Sequence, residues 1–259
     1  GDRMFKTEYD ALCSAATAKR DLLLKNPLGY LISSMVAGMF IAFGSFVSMS
    51  IGGILTAAGS DLVRFFVPLT FAAALSLVVM AGCELFTGNN LVLSAGAFKK
   101  KISWGDAVKL WLVCYLGNFI GSWIMVGLFE LTGFDSNPDI ATFFANTSAA
   151  KMGLTPMAQL SRGILCNICV CLAVWCATKL KSESGKLIMI VWCILIFMIC
   201  GFEHSIANMS ILGVGLLHPM EQLLSVGAYF QNLFFVTIGN MVGGIVFVAV
   251  PYLIISKEA

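Results

Sequence analysis

Gly201-Phe202-Glu203-His204-Ser205-Ile206-Ala207-Asn208 lies inside a long apolar segment and sets a glutamate, a histidine and an asparagine among hydrophobic neighbours. Ionisable and amide side chains inside a membrane segment are rare, face protein or a water-filled cavity, and mark functional sites. The other half of the chain holds a partner. Gly82-Cys83-Glu84-Leu85-Phe86-Thr87-Gly88-Asn89 repeats the spacing Gly-x-Glu-x-x-x-x-Asn in a second apolar segment. The chain reads as built around these two interruptions.

Composition sets the environment. Of 259 residues, 59% are hydrophobic and 12% charged, with mean hydropathy +0.90. Soluble domains carry roughly 25% charged and 45–50% apolar residues, so this is an integral membrane protein whose main partner is the lipid bilayer. No basic patch with interleaved aromatics suggests nucleic acid. Nine cysteines fall mostly inside apolar runs. Only Cys166-x-x-Cys169, followed by Cys171, is closely spaced. These read as small apolar side chains packing in a helix. With two histidines in the chain, neither a metal site nor another cofactor is expected.

Gly1-Asp2-Arg3, ahead of Met4, reads as an expression-tag scar. Residues 5–24 carry Phe5, Tyr9, Leu12 and Ala16 at helical spacing among charges, which predicts an amphipathic helix ended by Pro27. Apolar runs of about 20 residues span a membrane as helices. Six follow: 30–56; 65–98, interrupted at 84–90; 107–131; 157–178; 187–217, interrupted at 201–208; and 228–255. The expectation is an all-α membrane protein, with residues 1–26 as tag scar and cytoplasmic helix and 27–257 as a six-span domain. Lys6, Lys19, Arg20, Lys25, Lys99, Lys100, Lys101, Lys179, Lys181, Lys186 and Lys257 fall on one side, against Arg64, Lys151 and Arg162 on the other. The excess of Lys and Arg marks the cytoplasmic face, so both termini are expected inside.

The halves, about 27–132 and 150–255, repeat. Gly117-Asn118-x-x-Gly121 in the third span matches Gly239-Asn240-x-x-Gly243 in the sixth. Three spans per half require the halves to insert upside down, and inverted repeats with paired broken helices put a permeation site between the breaks. Glycines at this spacing also serve close helix packing.

Free N–H groups and positive dipole ends at the breaks face a cavity. Glu84, Asn89, Glu203 and Asn208 are read as structuring these loops. His204 is either a packed, hydrogen-bonded histidine or a pore-lining donor or proton carrier, since imidazole titrates near neutral pH. Thr87, in the other break, either turns the backbone or offers its hydroxyl to a substrate. Lys151 is a solvated loop lysine or steers anions to the mouth. Asn167 is helix–helix glue or a pore donor. Arg162 reads as an interface anchor and His218, beside Pro219, as incidental. Phe71, Leu75, Leu85, Phe86 and Phe197 flank the breaks as packing or as constrictions; periodicity does not separate the two.

Glu84-Leu85-Phe86-Thr87-Gly88-Asn89-Asn90, Gly163-Ile164-Leu165-Cys166-Asn167 and Gly201-Phe202-Glu203-His204-Ser205-Ile206-Ala207-Asn208-Met209 resemble the formate/nitrite transporter family, over nearly the whole chain, and within it the hydrosulfide channel branch. The resemblance implies an aquaporin-like fold of six spans, assembled as a homopentamer with one pore per protomer in the bacterial inner membrane. It implies His204 as the central pore histidine, Thr87 as its partner, and Lys151 and Asn167 as the polar pair near the outer vestibule. Leu75 and Phe197, with Phe71 beside them, would form the cytoplasmic constriction. Leu85, Phe86 and Val170 would form the outer one. The implied function is passive, non-enzymatic passage of a small weak-acid anion, with hydrosulfide expected ahead of formate and nitrite and a proton linked to passage at His204. A membrane redox enzyme is disfavoured by the few histidines and the lack of cluster-type cysteine spacing, and a neutral-solute pore by the lack of paired Asn-Pro-Ala motifs.

Overall fold

The computed structural model describes residues 4–256; Gly1–Arg3 and Lys257 lie outside the described residues. The expected N-terminal helix is α1, Lys6–Lys25, which buries Tyr9, Leu12, Cys13 and Ala16 on one stripe. Tyr9 Oη donates to the Ala249 carbonyl at 3.1 Å, and Phe5 meets Tyr252 edge-on at 5.9 Å, so α1 is tied to the end of the last helix. α2 (Pro27–Ala57) starts where the Asn26 side chain accepts from Gly29 N, with Pro27 at its first position. Proline there lacks only an N–H that no helix would use.

The remaining helices are α3 (Val63–Leu77), α4 (Phe86–Phe98), α5 (Trp104–Leu131), α6 (Pro138–Met152), α7 (Pro156–Lys179), α8 (Glu183–Ile199), α9 (Ser205–Leu217), α10 (Val226–Gly244) and α11 (Val250–Ile255). Wide helical turns at Val78–Gly82 and Ile245–Ala249 extend α3 and join α10 to α11. Serine, threonine or asparagine side chains cap α5, α6, α7, α8 and α10, each satisfying an N–H that the first turn leaves free. Among the described residues, five stretches are long and apolar enough to cross a membrane: Pro27–Ala57, Val63–Gly82, Trp104–Leu131, Pro156–Lys179 and Val226–Ile255. The segment expected as an interrupted fifth span is divided into α8 and α9, each shorter than the roughly 20 residues a crossing needs.

The breaks are shorter than expected and lie earlier. The first occupies only Cys83–Leu85, and the second ends at His204, because α9 begins at Ser205. Gly82 (φ 81°) and Gly201 (φ 71°) take left-handed backbone, which residues with a Cβ adopt reluctantly. Asn89 and Asn208 therefore stand in the first turns of α4 and α9, not in the loops. The stretch expected as a polar loop with Lys151 is largely α6. Its Asn137-Pro138 start is a readable cap, but its short, Ser/Thr/Asn-rich body falls below any apolar-span criterion. It covers α9, and Ser148 Oγ donates to the Ile211 carbonyl at 3.2 Å.

The repeated Gly-Asn-x-x-Gly motifs pack α5 on α2 and α10 on α7 alike. A Cβ on Gly121 would lie 2.0 Å from the Met35 carbonyl oxygen, and one on Gly243 2.2 Å from that of Ile164. Gly121→Ala and Gly243→Ala are each expected to destabilise the protein by about 1–3 kcal/mol through overpacking, read as a fall in detergent-solution Tm. An unchanged Tm would refute this close approach.

Candidate functional site

α4 and α9 begin at the breaks and are almost wholly buried. Their first N–H groups need acceptors inside the protein. Asn118 Oδ1 accepts from Phe86 N at 2.9 Å while its Nδ2 donates to the Ser34 and Glu84 carbonyls. Asn240 does the same at the other break. Its Oδ1 accepts from Ser205 N at 2.9 Å and its Nδ2 donates to the Gly163 and Glu203 carbonyls. The asparagines of the glycine motifs thus stitch the breaks.

Each break glutamate accepts from one asparagine and one lysine. Glu203 takes Asn208 Nδ2 at 2.6 Å and Lys151 Nζ at 2.9 Å. Glu84 takes Asn89 Nδ2 at 2.7 Å and Lys19 Nζ at 2.6 Å. Lys151 is therefore not a free loop lysine but the ion-pair partner of a carboxylate whose side chain is 3% exposed. A lysine in such a pair is strongly held, since breaking a buried ion pair costs about 3–5 kcal/mol. Lys19 was missed as a site residue. Its signal was present, because it follows Ala16 on the buried stripe of α1 and Glu84 matches Glu203.

At the centre, Thr87 Oγ1 and His204 Nε2 are 3.0 Å apart, both buried. Thr87 sits in the first turn of α4 and His204 is the N-cap of α9, so the pair joins the two broken helices. The cap settles the tautomer. His204 Nδ1 accepts from Ala207 N at 3.1 Å, and a backbone N–H only donates, so the ring proton sits on Nε2. Nε2–H then donates to Thr87 Oγ1, leaving the threonine hydroxyl hydrogen as a spare donor beside it. A second ring proton on Nδ1 would displace the cap.

Two cavities approach this pair. One, of about 430 Å³, is lined by His204 and by Lys151, Arg162 and Glu203. The other, of about 220 Å³, is lined by Lys19, Leu75, Leu85 and Gly88. His204 lines the first, and Gly88, which follows Thr87 in the chain, lines the second, so the hydrogen-bonded pair links a residue of one lining to a neighbour of the other.

The structure regroups the expected constrictions. Phe71 and Phe197 line the Lys151-side cavity, edge-to-face at 6.1 Å, and Phe197 lies nearly parallel to the His204 ring. They are on the same side as Lys151, not opposite it. Leu75 and Leu85 share the Lys19-side cavity and so belong together. Phe86 packs edge-on against Tyr115 at 5.0 Å, and Val170 is buried in α7; neither lines these cavities. Phe71 and Leu75 lie one turn apart on α3 yet line different cavities, a difference in depth that linear order does not reveal.

Asn167 also lines neither cavity. Its Nδ2 lies within hydrogen-bond reach of the Thr87 carbonyl, Asn90 Oδ1 and the Asn240 carbonyl, at 3.2, 3.0 and 2.6 Å, which braces the backbone of Thr87. Cys171 Sγ donates to the Thr87 carbonyl and Cys114 Sγ to that of Glu84, so two of the cysteines serve as small buried donors. Arg162 is no interface anchor: it lines the Lys151-side cavity and its Nη1 donates to the Gly201 carbonyl at 3.2 Å. Nor is His218 incidental; it bonds Glu130 and meets Phe134 edge-on at 5.1 Å, tying the ends of α9 and α5.

A family model described as "Formate/nitrite transporter" matches residues 6–254. The chain is 33% identical to the "Uncharacterized transporter YwcJ" of Bacillus subtilis (strain 168), over 94% of this chain and 95% of the relative. It is 33% identical to the "Nitrite transporter NirC" of Escherichia coli (strain K12), over 95% and 91%, and 31% identical to the "Formate channel FocA" of the same strain, over 95% of each. Among solved structures it is similar to an "FNT family ion channel", with TM-score 0.91, 29% identity and coverage of 98% of this chain and 100% of that one. It is also similar to a "Pentameric formate channel with formate bound", with TM-score 0.80, 30% identity and coverage of 89% and 98%.

Proposed function

Because this chain belongs to the formate/nitrite transporter family, we propose that it is a passive channel for small monovalent anions of weak acids, passing between its two cavities at Thr87 and His204. The observation that carries the reading is the buried Thr87–His204 hydrogen bond joining the two broken helices, with His204 on one cavity and the neighbour of Thr87 on the other, each cavity having a paired lysine at its wall. Desolvating a bare charge in an apolar constriction is strongly unfavourable. An anion that takes a proton from water in the cavity crosses as neutral acid and releases the proton beyond. His204 serves this passage as a neutral donor through Nε2, since its Nδ1 is engaged as a cap. Thr87 supplies a second donor.

The relatives and structures named above carry nitrite and formate in their names. Those two anions are thus the leading substrates, and hydrosulfide, suggested by the motif resemblance, is the third. Similarity to the pentameric formate channel supports a homopentamer here. The lysine and arginine asymmetry supports the cytoplasmic membrane, with both termini inside and the Lys151-side cavity facing out.

The test is flux into proteoliposomes, with formate, nitrite, hydrosulfide and chloride side by side. Weak-acid anions are expected to pass, faster as pH falls, while chloride, which forms no neutral acid in this range, is excluded. Equal chloride flux, or weak-acid flux indifferent to pH, would sink the proposal.

A further inference from the structure

The charges on the wall of the Lys151-side cavity are Lys151, Arg162 and Glu203. Glu203 is committed to Lys151, at 2.9 Å, and to Asn208. The lysine's field at the mouth is therefore largely cancelled by its own partner. Arg162 forms no ion pair among the described residues. Its one side-chain hydrogen bond there, from Nη1 to the Gly201 carbonyl, holds the guanidinium on the rim of the break. Most of its five N–H donors are left unused. At the other cavity the wall cation, Lys19, is paired with Glu84, so no uncompensated charge remains there.

The break itself does not require this arginine. Its backbone carbonyl accepts from Glu203 N at 3.2 Å, and at the first break Ser33 gives the same carbonyl to Glu84 N. A neutral serine thus fills the corresponding place. The guanidinium is an addition to the architecture.

We propose that Arg162, rather than Lys151, is the anion-capturing residue of this mouth, and that it selects planar anions with two oxygens on one atom, such as formate and nitrite, over hydrosulfide. The inference rests on the channel reading above and adds the residue that sets the preference among its anions. A guanidinium presents parallel N–H donors that match a pair of oxygens, whereas an ammonium acts as a point charge. Hydrosulfide has one sulfur and cannot fill the fork. Lys151 keeps Glu203 neutralised, which removes a carboxylate that would otherwise repel every anion entering.

The test is the initial rate of uptake of formate, nitrite and hydrosulfide into proteoliposomes bearing wild type, Arg162→Lys and Arg162→Gln. Arg162→Lys is expected to raise half-saturating formate and nitrite concentrations roughly threefold or more and to leave hydrosulfide nearly unchanged, because charge is kept and the fork is lost. Arg162→Gln is expected to raise the formate value by roughly tenfold and to abolish most of its dependence on added salt, as loss of a steering charge does. Maximal rates should stay close to wild type in both.

Unchanged half-saturation in Arg162→Gln overturns the proposal. So does a fall in maximal rate alone, which a merely structural arginine would give, or an equal shift for hydrosulfide in Arg162→Lys. Wild-type protein passing none of the three anions overturns the channel reading and this inference with it. Wild-type flux with an indifferent Arg162→Gln overturns this inference alone.

Discussion

His204→Asn lowers formate flux by about 10- to 100-fold while the protein remains folded. A hydrogen bond to a charged group is worth about 1.5–3 kcal/mol, and each 1.4 kcal/mol is about a factor of ten in rate. Asparagine keeps the structural half of the histidine's task. It is among the best N-cap residues, so its side-chain oxygen continues to accept from Ala207 N, as Nδ1 does now. What it lacks is the reach of Nε2 to Thr87 Oγ1. His204→Ala removes both halves and should lower Tm as well as flux. Thr87→Val is expected to produce a loss similar to His204→Asn. The double variant should be little worse than either single one, because residues sharing one interaction are not additive. Stopped-flow uptake into proteoliposomes measures all four proteins. Flux and pH dependence equal to wild type in His204→Asn would remove the pair from the mechanism.

Asn240→Leu is expected to be the most damaging single change to stability. Leucine is of similar size and the site is fully buried, so the effect isolates the lost amide. Ser205 N and the carbonyls of Gly163 and Glu203 lose their Asn240 partner together. An unsatisfied buried group costs about 1–3 kcal/mol, so the three together sum to roughly 3–9 kcal/mol. At about 2–4 °C per kcal/mol for a chain of this size, Tm should fall by about 6 °C or more. Asn118→Leu should match it, since Asn118 makes the corresponding three bonds at the first break. A Tm within a degree or two of wild type for either variant would mean the breaks are held by something else.

Much of the fold was legible because a bilayer is an exacting solvent. Backbone polar groups must be satisfied internally there, so long apolar runs have to be helices. A glutamate and an asparagine inside such a run have to be paired. The repeated Gly-x-Glu-x-x-x-x-Asn spacing named the breaks, and the twin motifs singled out Thr87 and His204 as the positions where the halves differ. The Gly-Asn-x-x-Gly motifs read only as a repeat and as helix packing; that Asn118 and Asn240 stitch the breaks depends on their distance from backbone far along the chain. Helix α6 was not legible. It is short and polar, and its place in the fold comes from Ser148 bonding to α9 and Phe144 packing on Phe129 of α5, contacts no local pattern encodes.

The sequence by itself determined the membrane class, the long helices, the paired interruptions and the identity of the central two residues. Each of these follows from local hydrophobicity or from spacing along one strand of chain. Only the tertiary structure decided what each polar or bulky group faces. It drew Lys19 from the N-terminal helix onto Glu84 and took Lys151 out of solution onto Glu203. It moved Phe71 and Phe197 to the mouth opposite Leu75 and Leu85, and left Arg162 without an ion pair among the described residues. Those assignments depend on distances of a few ångströms between residues far apart in the chain, and charge compensation falls off over that same scale, so nothing short of the folded arrangement states them.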